Sequence, residues 1–264
     1  MAIDEAILHA LAGGQGLATL RFYQWQPPCL SLGFGQNYCK VDEAACQRLG
    51  YTIVRRPTGG RAILHADELT YSFITSSSDP RVTDNIIQSY RNLSQGLLHG
   101  LRKLGAVAVQ AKGGMPKNPH QRTACFDTPS HYEITVNGKK LVGSAQLRRR
   151  GMVLQHGTLP LHGDISRIFE ALSYSDEEKR TLTKKLFAHA TTLEMVLNRI
   201  VPFDEVAHSL RIGFAESLDI IFEEGILSDY EHSLADKFYH ERYDNDVWNK
   251  KKYSIGAETR ILKF

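Results

Sequence analysis

The side chains best suited to covalent chemistry in this chain lie between positions 124 and 161, in ACFDTPSHYEITVNGKKLVGSAQLRRRGMVLQHGTLPL. Cys125 precedes an alternating segment at 131–136, and a Gly138-Lys139-Lys140 turn follows. Next comes the small-residue segment Gly143-Ser144-Ala145-Gln146, and a second alternating run ends at Gln155-His156-Gly157-Thr158. A thiol, a lysine and a glycine-flanked turn within about one hairpin are cheap to bring together, because the closing loop is short. The combination is that of a nucleophile with a cation to serve it. A lone cysteine is also a common buried apolar side chain, and adjacent lysines are commonly solvated. Residue types alone leave both alternatives open.

A second feature precedes it. Arg55-Arg56-Pro57-Thr58-Gly59-Gly60-Arg61-Ala62 follows a predicted strand, and His65 closes the next one. Paired glycines let backbone approach a ligand or adopt positive φ, and two arginines suit a carboxylate or phosphate. A tight hairpin with solvated arginines fits the same letters. The loop is neither a Walker A sequence nor G-x-G-x-x-G. Gly13-Gly14-Gln15-Gly16 sits at a helix end and reads as a cap and turn.

These groups need elements to hold them. Apolar residues at 3, 6, 7, 10 and 11 give helical spacing over 2–11. Strands are expected at 18–24, 29–33 and 51–55, with a short helix at 42–49 stopped by Gly50. Segments 61–65 and 68–75 read as strands paired with each other. Positions 85–104 form a helix with a long apolar face, 107–111 a strand and 112–123 a loop. Two more strands precede a helical region from about 164 to 243. No internal repeat or linker is evident, so one α/β domain is expected over 1–264, with a core at about 1–163 and a helical region at about 164–249.

The 264 residues carry 32 Lys+Arg against 29 Asp+Glu, a net charge of +3, which calls for no nucleic acid. Cys29, Cys39, Cys46 and Cys125 lack paired C-x-x-C spacing, and free thiols in a reducing cytoplasm are expected. No segment is long and apolar enough to span a bilayer, and no signal-peptide pattern opens the chain. The expectation is a cytoplasmic protein without membrane contact. No His/Cys/Asp cluster has ligand spacing, so no metal is expected.

Four ordered segments resemble the biotin/lipoate A/B protein ligase superfamily. Met1-Ala2-Ile3-Asp4-Glu5-Ala6 is similar to its first-helix motif, and Arg55 to His65 to its ligand loop. Gly138 to Gln146 is similar to its acyl-site lysine motif, and Arg242-Tyr243-Asp244-Asn245-Asp246-Val247-Trp248-Asn249 to its C-terminal motif. Cys125-Phe126-Asp127 resembles the octanoyltransferase branch of lipoate synthesis. ATP-dependent ligases of the family usually carry Asn-Asp near this point, and the amidotransferases Cys followed by Pro-Gly. Two departures stand out: the chain begins inside a motif that a strand normally precedes, and 250–264 match nothing in the family.

The resemblance implies a class II biotin/lipoate ligase-like fold: an α/β (α+β) domain with a mixed, mostly antiparallel sheet flanked by helices. It implies transfer of octanoyl from acyl carrier protein through a Cys125 thioester to a lysine of a lipoyl domain, such as the glycine cleavage H protein, without a cofactor. Lys140 would lower the thiol pKa and polarise the acyl carbonyl. Arg56, Thr58, Gly59, Gly60, His65, Gly143, Ser144, Ala145, Gln146, His156, Gly157 and Thr158 would line the substrate site. Backbone N–H groups at the glycines would serve the oxyanion. Cys29, Cys39 and Cys46 are read as structural. The basic run Arg148-Arg149-Arg150 is either a solvated turn or a rim that steers acidic partners. An ATP-dependent lipoate ligase, an amidotransferase between lipoyl domains and a non-catalytic relative remain alternatives.

Overall fold

In a computed structural model, residues 1–111 and 133–251 are described here. Helix α1 (Ala2–Ala12) ends at Gly13 as its spacing predicts, and it buries Asp4 and Glu5 along with its apolar face. Strands β1 (Thr19–Tyr23) and β2 (Cys29–Leu32) follow. The Asp42 carboxylate accepts the Ala45 N–H to start α2 (Glu43–Leu49), and left-handed Gly50, φ 71°, stops it. Then come β3 (Thr52–Arg55), β4 (Ile63–His65), β5 (Glu68–Ser76) and α3 (Ile86–Lys103). The strand expected at 107–111 shrinks to β6 (Val109–Gln110). Strands β7 (Ile134–Val136), β8 (Lys139–Arg149) and β9 (Met152–Pro160) complete the sheets.

The strands divide between two sheets. One is six-stranded and antiparallel, in the order β1-β5-β9-β8-β7-β6; the other is three-stranded, β3-β2-β4. β2 runs parallel to β3 and antiparallel to β4. The expected pairing of 61–65 with 68–75 does not form. Asp67 at φ 52° turns the chain between them. β4 pairs with β2, whereas β5, buried along almost its whole length, needs a partner on each side and takes β1 and β9.

The C-terminal region is helical, with a non-helical stretch at 219–228. It holds a 3-10 segment (Ile165–Ala171), α4 (Asp176–His189), α5 (Leu193–Leu197) and α6 (Phe203–Leu218). α7 (Asp229–Phe238), a π turn (Tyr239–Tyr243) and α8 (Asp246–Asn249) follow. Ser175 and Ser228 open α4 and α7 with complete capping boxes. Among the described residues, no helix is long and apolar enough to cross a membrane.

Alternation along the strands separates two faces of the large sheet. Leu69, Tyr71 and Phe73 of β5 and Leu159 of β9 pack with Leu97, Leu101, Leu210 and Phe214 of α3 and α6. Ile74 and Leu154 pack with Ile7 and Leu8 of α1 on the other face. The small sheet packs against the 3-10 segment and α4 through Leu30, Leu32, Ile168 and Leu186. α3 and α6 cross at glycine contacts. A Cβ on Gly213 would lie 2.3 Å from the Gly100 nitrogen, so only glycine admits this approach.

The turn between β7 and β8 is Asn137-Gly138, both at positive φ, and Lys139 and Lys140 already belong to β8. The turn between β8 and β9 is Arg150-Gly151, also at positive φ. The basic run there is not simply solvated. Arg148 donates to the Thr83 carbonyl and Ser89 Oγ, each at 2.7 Å, and Arg149 reaches Glu5 at 3.4 Å.

Candidate functional site

One extra residue in β8 sets the site. Ile134 lies opposite Val142 and Thr135 opposite Lys140, so Leu141 has no partner of its own. The bulge shifts the alternation by one residue. Leu141 and Val142 both enter the core, and Lys140 turns to the same side as Gly143. A Cβ on Gly143 would lie 2.8 Å from Lys140 Cε and 3.0 Å from Nζ. Glycine thus leaves the space the lysine occupies. Lys140 Nζ donates to Glu133 Oε1 at 2.6 Å, while Lys139 is exposed. Lys140, not Lys139, lines a cavity.

Lys140 and Glu133 open onto a cavity of about 640 Å³. Arg56, Gly59, Gly60 and His65 form one wall, and Gly143, Ser144, Ala145, His156, Gly157 and Thr158 another. Eleven of the fourteen residues singled out from sequence therefore meet at one place. Gly157 is required there, since a Cβ would lie 2.5 Å from the Gly143 carbonyl and 2.6 Å from the Tyr71 ring.

The other three are placed differently. Thr58 stands behind the wall, its Oγ1 hydrogen-bonded to His156 Nε2 at 2.6 Å. Gln146 lies with Ser144 on the α3 side, where it donates to Gln155 at 3.1 Å and accepts from Arg148 at 3.0 Å. The Ser144 hydroxyl bonds Tyr71 at 2.7 Å. Cys125 lies outside the described residues, as does the loop expected at 112–123. The two ends of that segment are tied by the Ala111 N–H donating to the Glu133 carbonyl at 2.8 Å.

The glycine loop is held by its own arginine. Arg56 donates to the Gly59 carbonyl at 2.9 Å, the Arg61 carbonyl at 2.7 Å and the Ser31 carbonyl at 3.1 Å. Arg55 is fully buried and donates to the carbonyls of Gly33, Phe34, Gln36, Trp248, Asn249 and Lys251. Both are structural clamps before they are ligand contacts. His65 is fixed at both nitrogens, by Glu68 Oε1 at 2.8 Å and Ser31 Oγ at 2.8 Å, and stacks on Trp25 with ring centroids 4.4 Å apart. Burial pushes the His156 imidazole down to about 3, so it is neutral at physiological pH.

Cys29 and Cys46 are buried, and burial raises both thiols, Cys29 to about 11. Neither is a thiolate at neutral pH. Among the described residues, no group of His, Cys, Asp and Glu side chains is arranged to hold a metal.

Sequence reading missed Glu133, Thr70, Arg61 and Ile63, which also line the cavity. For Glu133 a signal was present. An acid inside a β-run needs a cation, and Lys140 stands across a two-residue turn. The first and last motifs explain each other. Asp4 accepts from Arg21, Tyr23 and Ser72, tying α1 to β1 and β5. Glu5 accepts from Arg242 and Tyr243 of the C-terminal motif.

The sequence profile of the lipoyl protein ligase A/B catalytic domain matches residues 1–215. The chain is 42% identical over 258 residues to the octanoyltransferase LipM of Kyrpidia tusciae, covering 96% of this chain and 94% of the relative. It is 38% identical over 257 residues to that of Clostridioides difficile, with coverage of 96% and 94%. Its fold superposes with a TM-score of 0.78 on the bi-partite lipoate protein ligase of Thermoplasma acidophilum, at 25% identity over 96% of this chain and 92% of that one. Profile, relatives and fold agree with the four motifs, and the chain belongs to the lipoyl protein ligase A/B catalytic-domain family.

Proposed function

We propose that this chain is an octanoyltransferase of protein lipoylation, acting as a single catalytic domain over 1–264. It takes octanoyl from acyl carrier protein onto Cys125 and passes it to a lysine of a lipoyl-domain protein, such as the glycine cleavage H protein. The observation that carries the reading is the Lys140 ammonium on the wall of a glycine-lined cavity, in a chain whose relatives are octanoyltransferases.

In the first step the Cys125 thiolate attacks the donor thioester carbonyl. A new C–S bond forms, the donor C–S bond breaks, and the carrier leaves as a thiolate that takes up the proton the Cys125 thiol gave up. In the second step a lysine amine attacks the Cys125 thioester, an amide forms and the Cys125 thiol returns. Thioester exchange is nearly isoenergetic and aminolysis is downhill, so neither step needs ATP. Lys140 offers positive charge to the carbonyl oxygen as it gains charge, and Glu133 orients it. Cys125 stands eight residues before Glu133, within about 28 Å of extended chain. Mixing with octanoyl carrier protein should add one octanoyl mass, removable by hydroxylamine, with no ATP present. A Cys125→Ser protein that transfers as fast as wild type rules the covalent route out. Transfer only from free octanoate and ATP makes the chain a ligase instead.

A further inference from the structure

A second cavity, of about 750 Å³, meets the first at Lys140, Gly143, Thr158 and Ile63. Much of its remaining wall is aliphatic, from Leu64, Leu141, Pro160, Ile165, Ile168 and Ala190. The wall continues into the end of α4. Ala190 forms a parallel bridge with Lys140, and the Thr191 N–H donates to the Lys140 carbonyl at 2.9 Å. The end of α4 is thus fixed to the residue that both cavities share.

α4 buries Leu186, with Leu182 packed beside it, and the chain after it buries Ala190. That periodicity turns Arg180 and Lys184 to solvent, with Lys185 beside them. All three are exposed, and none forms an ion pair among the described residues. The acidic first turn, Asp176 to Glu178, adjoins Arg180 and lies about 9–12 Å along the axis from Lys184. Lys184 is about 9 Å along the axis from Ala190.

The geometry points to the docking of an acidic acyl carrier protein on Arg180, Lys184 and Lys185, with its pantetheine thioester arm reaching Lys140 through the aliphatic cavity. This rests on the octanoyl-transfer reading and adds the surface and the route. The arm is thin and amphipathic, which suits aliphatic walls with few polar groups. The acyl carbon leaves the pantetheine sulfur for the enzyme, and the freed thiol withdraws the way it came. Arg148 lies about 26 Å from Lys140 along β8, and it and Arg149 are already engaged. The α4 residues are exposed and free of ion pairs among the described residues, and they lie nearer the cavity, which favours α4.

The test compares wild type with the Arg180→Glu, Lys184→Glu, Lys185→Glu triple variant, using octanoyl carrier protein and octanoyl-pantetheine as donors. Acyl-enzyme formation is followed at several salt concentrations. The triple variant should raise KM for carrier protein about tenfold and flatten its salt dependence, while kcat/KM for octanoyl-pantetheine changes less than about twofold. Ile165→Trp, which fills the aliphatic cavity, should raise KM for octanoyl-pantetheine about tenfold at a near-constant melting temperature. An unchanged carrier-protein KM and salt slope in the triple variant overturns the docking surface, and an unchanged KM in Ile165→Trp overturns the route. If wild type accepts acyl from neither donor, the octanoyl-transfer reading itself fails.

Discussion

A single methyl group at position 143 probes how closely Lys140 is positioned. Its carbon would stand 3.0 Å from Nζ, and the side chain it meets is flexible. Gly143→Ala should therefore fold with a melting temperature within about 3 °C of wild type. Displacing the ammonium should still cut kcat with octanoyl-pantetheine by about 10–100-fold. Loss of folding without loss of turnover per folded molecule would refute the positioning role. Lys140→Ala should lose most transfer and Lys139→Ala little, since only Lys140 contacts Glu133. Equal, small losses at both would return them to ordinary surface lysines.

His156 carries a pH signature. Its imidazole falls from the usual 6.5 to about 3 in the folded protein because it is buried. Below pH 6.5 the unfolded chain binds a proton that the native state refuses. The stability this group contributes is complete above pH 6.5 and drains away as pH falls toward 3, at up to about 1.4 kcal/mol per pH unit. Urea midpoints at pH 7 and pH 4.5 should converge in His156→Gln relative to wild type. Equal pH slopes in the two proteins would show that the imidazole titrates normally.

At the scale of elements, the α3–α6 crossing is the most exacting contact. Gly213 approaches Gly100 N and Gly96 O at 2.3 Å from where a Cβ would stand, and backbone cannot step aside as a lysine can. Gly213→Ala should cost about 3 kcal/mol in chemical denaturation, with the acyl site unaltered in composition. A change below measurement error would mean that the helices separate freely. What the sequence disclosed follows a clear line. Helix ends marked by Asp42, Gly50, Asn85 and Gly13 were legible because caps act over a few residues. The gathering of loop 56–65 with 140–158 was legible through motif resemblance. Strand partnership was not: β4 and β5 are neighbours in the chain yet belong to different sheets, because pairing is settled by distant strands. The bulge at Leu141 was also hidden. Alternation read without it sends Lys140 to the side of Gln146, which does not line the cavity.

Across the whole molecule, the two ends are joined at buried charges. Glu5 is 1% exposed and accepts from Arg242 and Tyr243. Arg242→Met leaves Glu5 only the longer Arg149 ion pair at 3.4 Å, on a carboxylate that cannot return to water without unseating α1. It should destabilise the fold by about 3 kcal/mol. Glu5→Gln in that background should recover part of the loss, and an additive double variant would deny the coupling. The Arg55 cradle has a related consequence in time. Its guanidinium is received partly by carbonyls at 33–36 and partly by Trp248, Asn249 and Lys251, more than 190 positions later. At ribosomal rates of 5–20 residues per second, that gap lasts about 10–40 s. Throughout it part of the guanidinium must stay hydrated, although the Arg56 bonds that hold the neighbouring glycine loop need only residues 31–61. The nascent chain therefore has no complete Arg55 cradle until Trp248 to Lys251 have emerged.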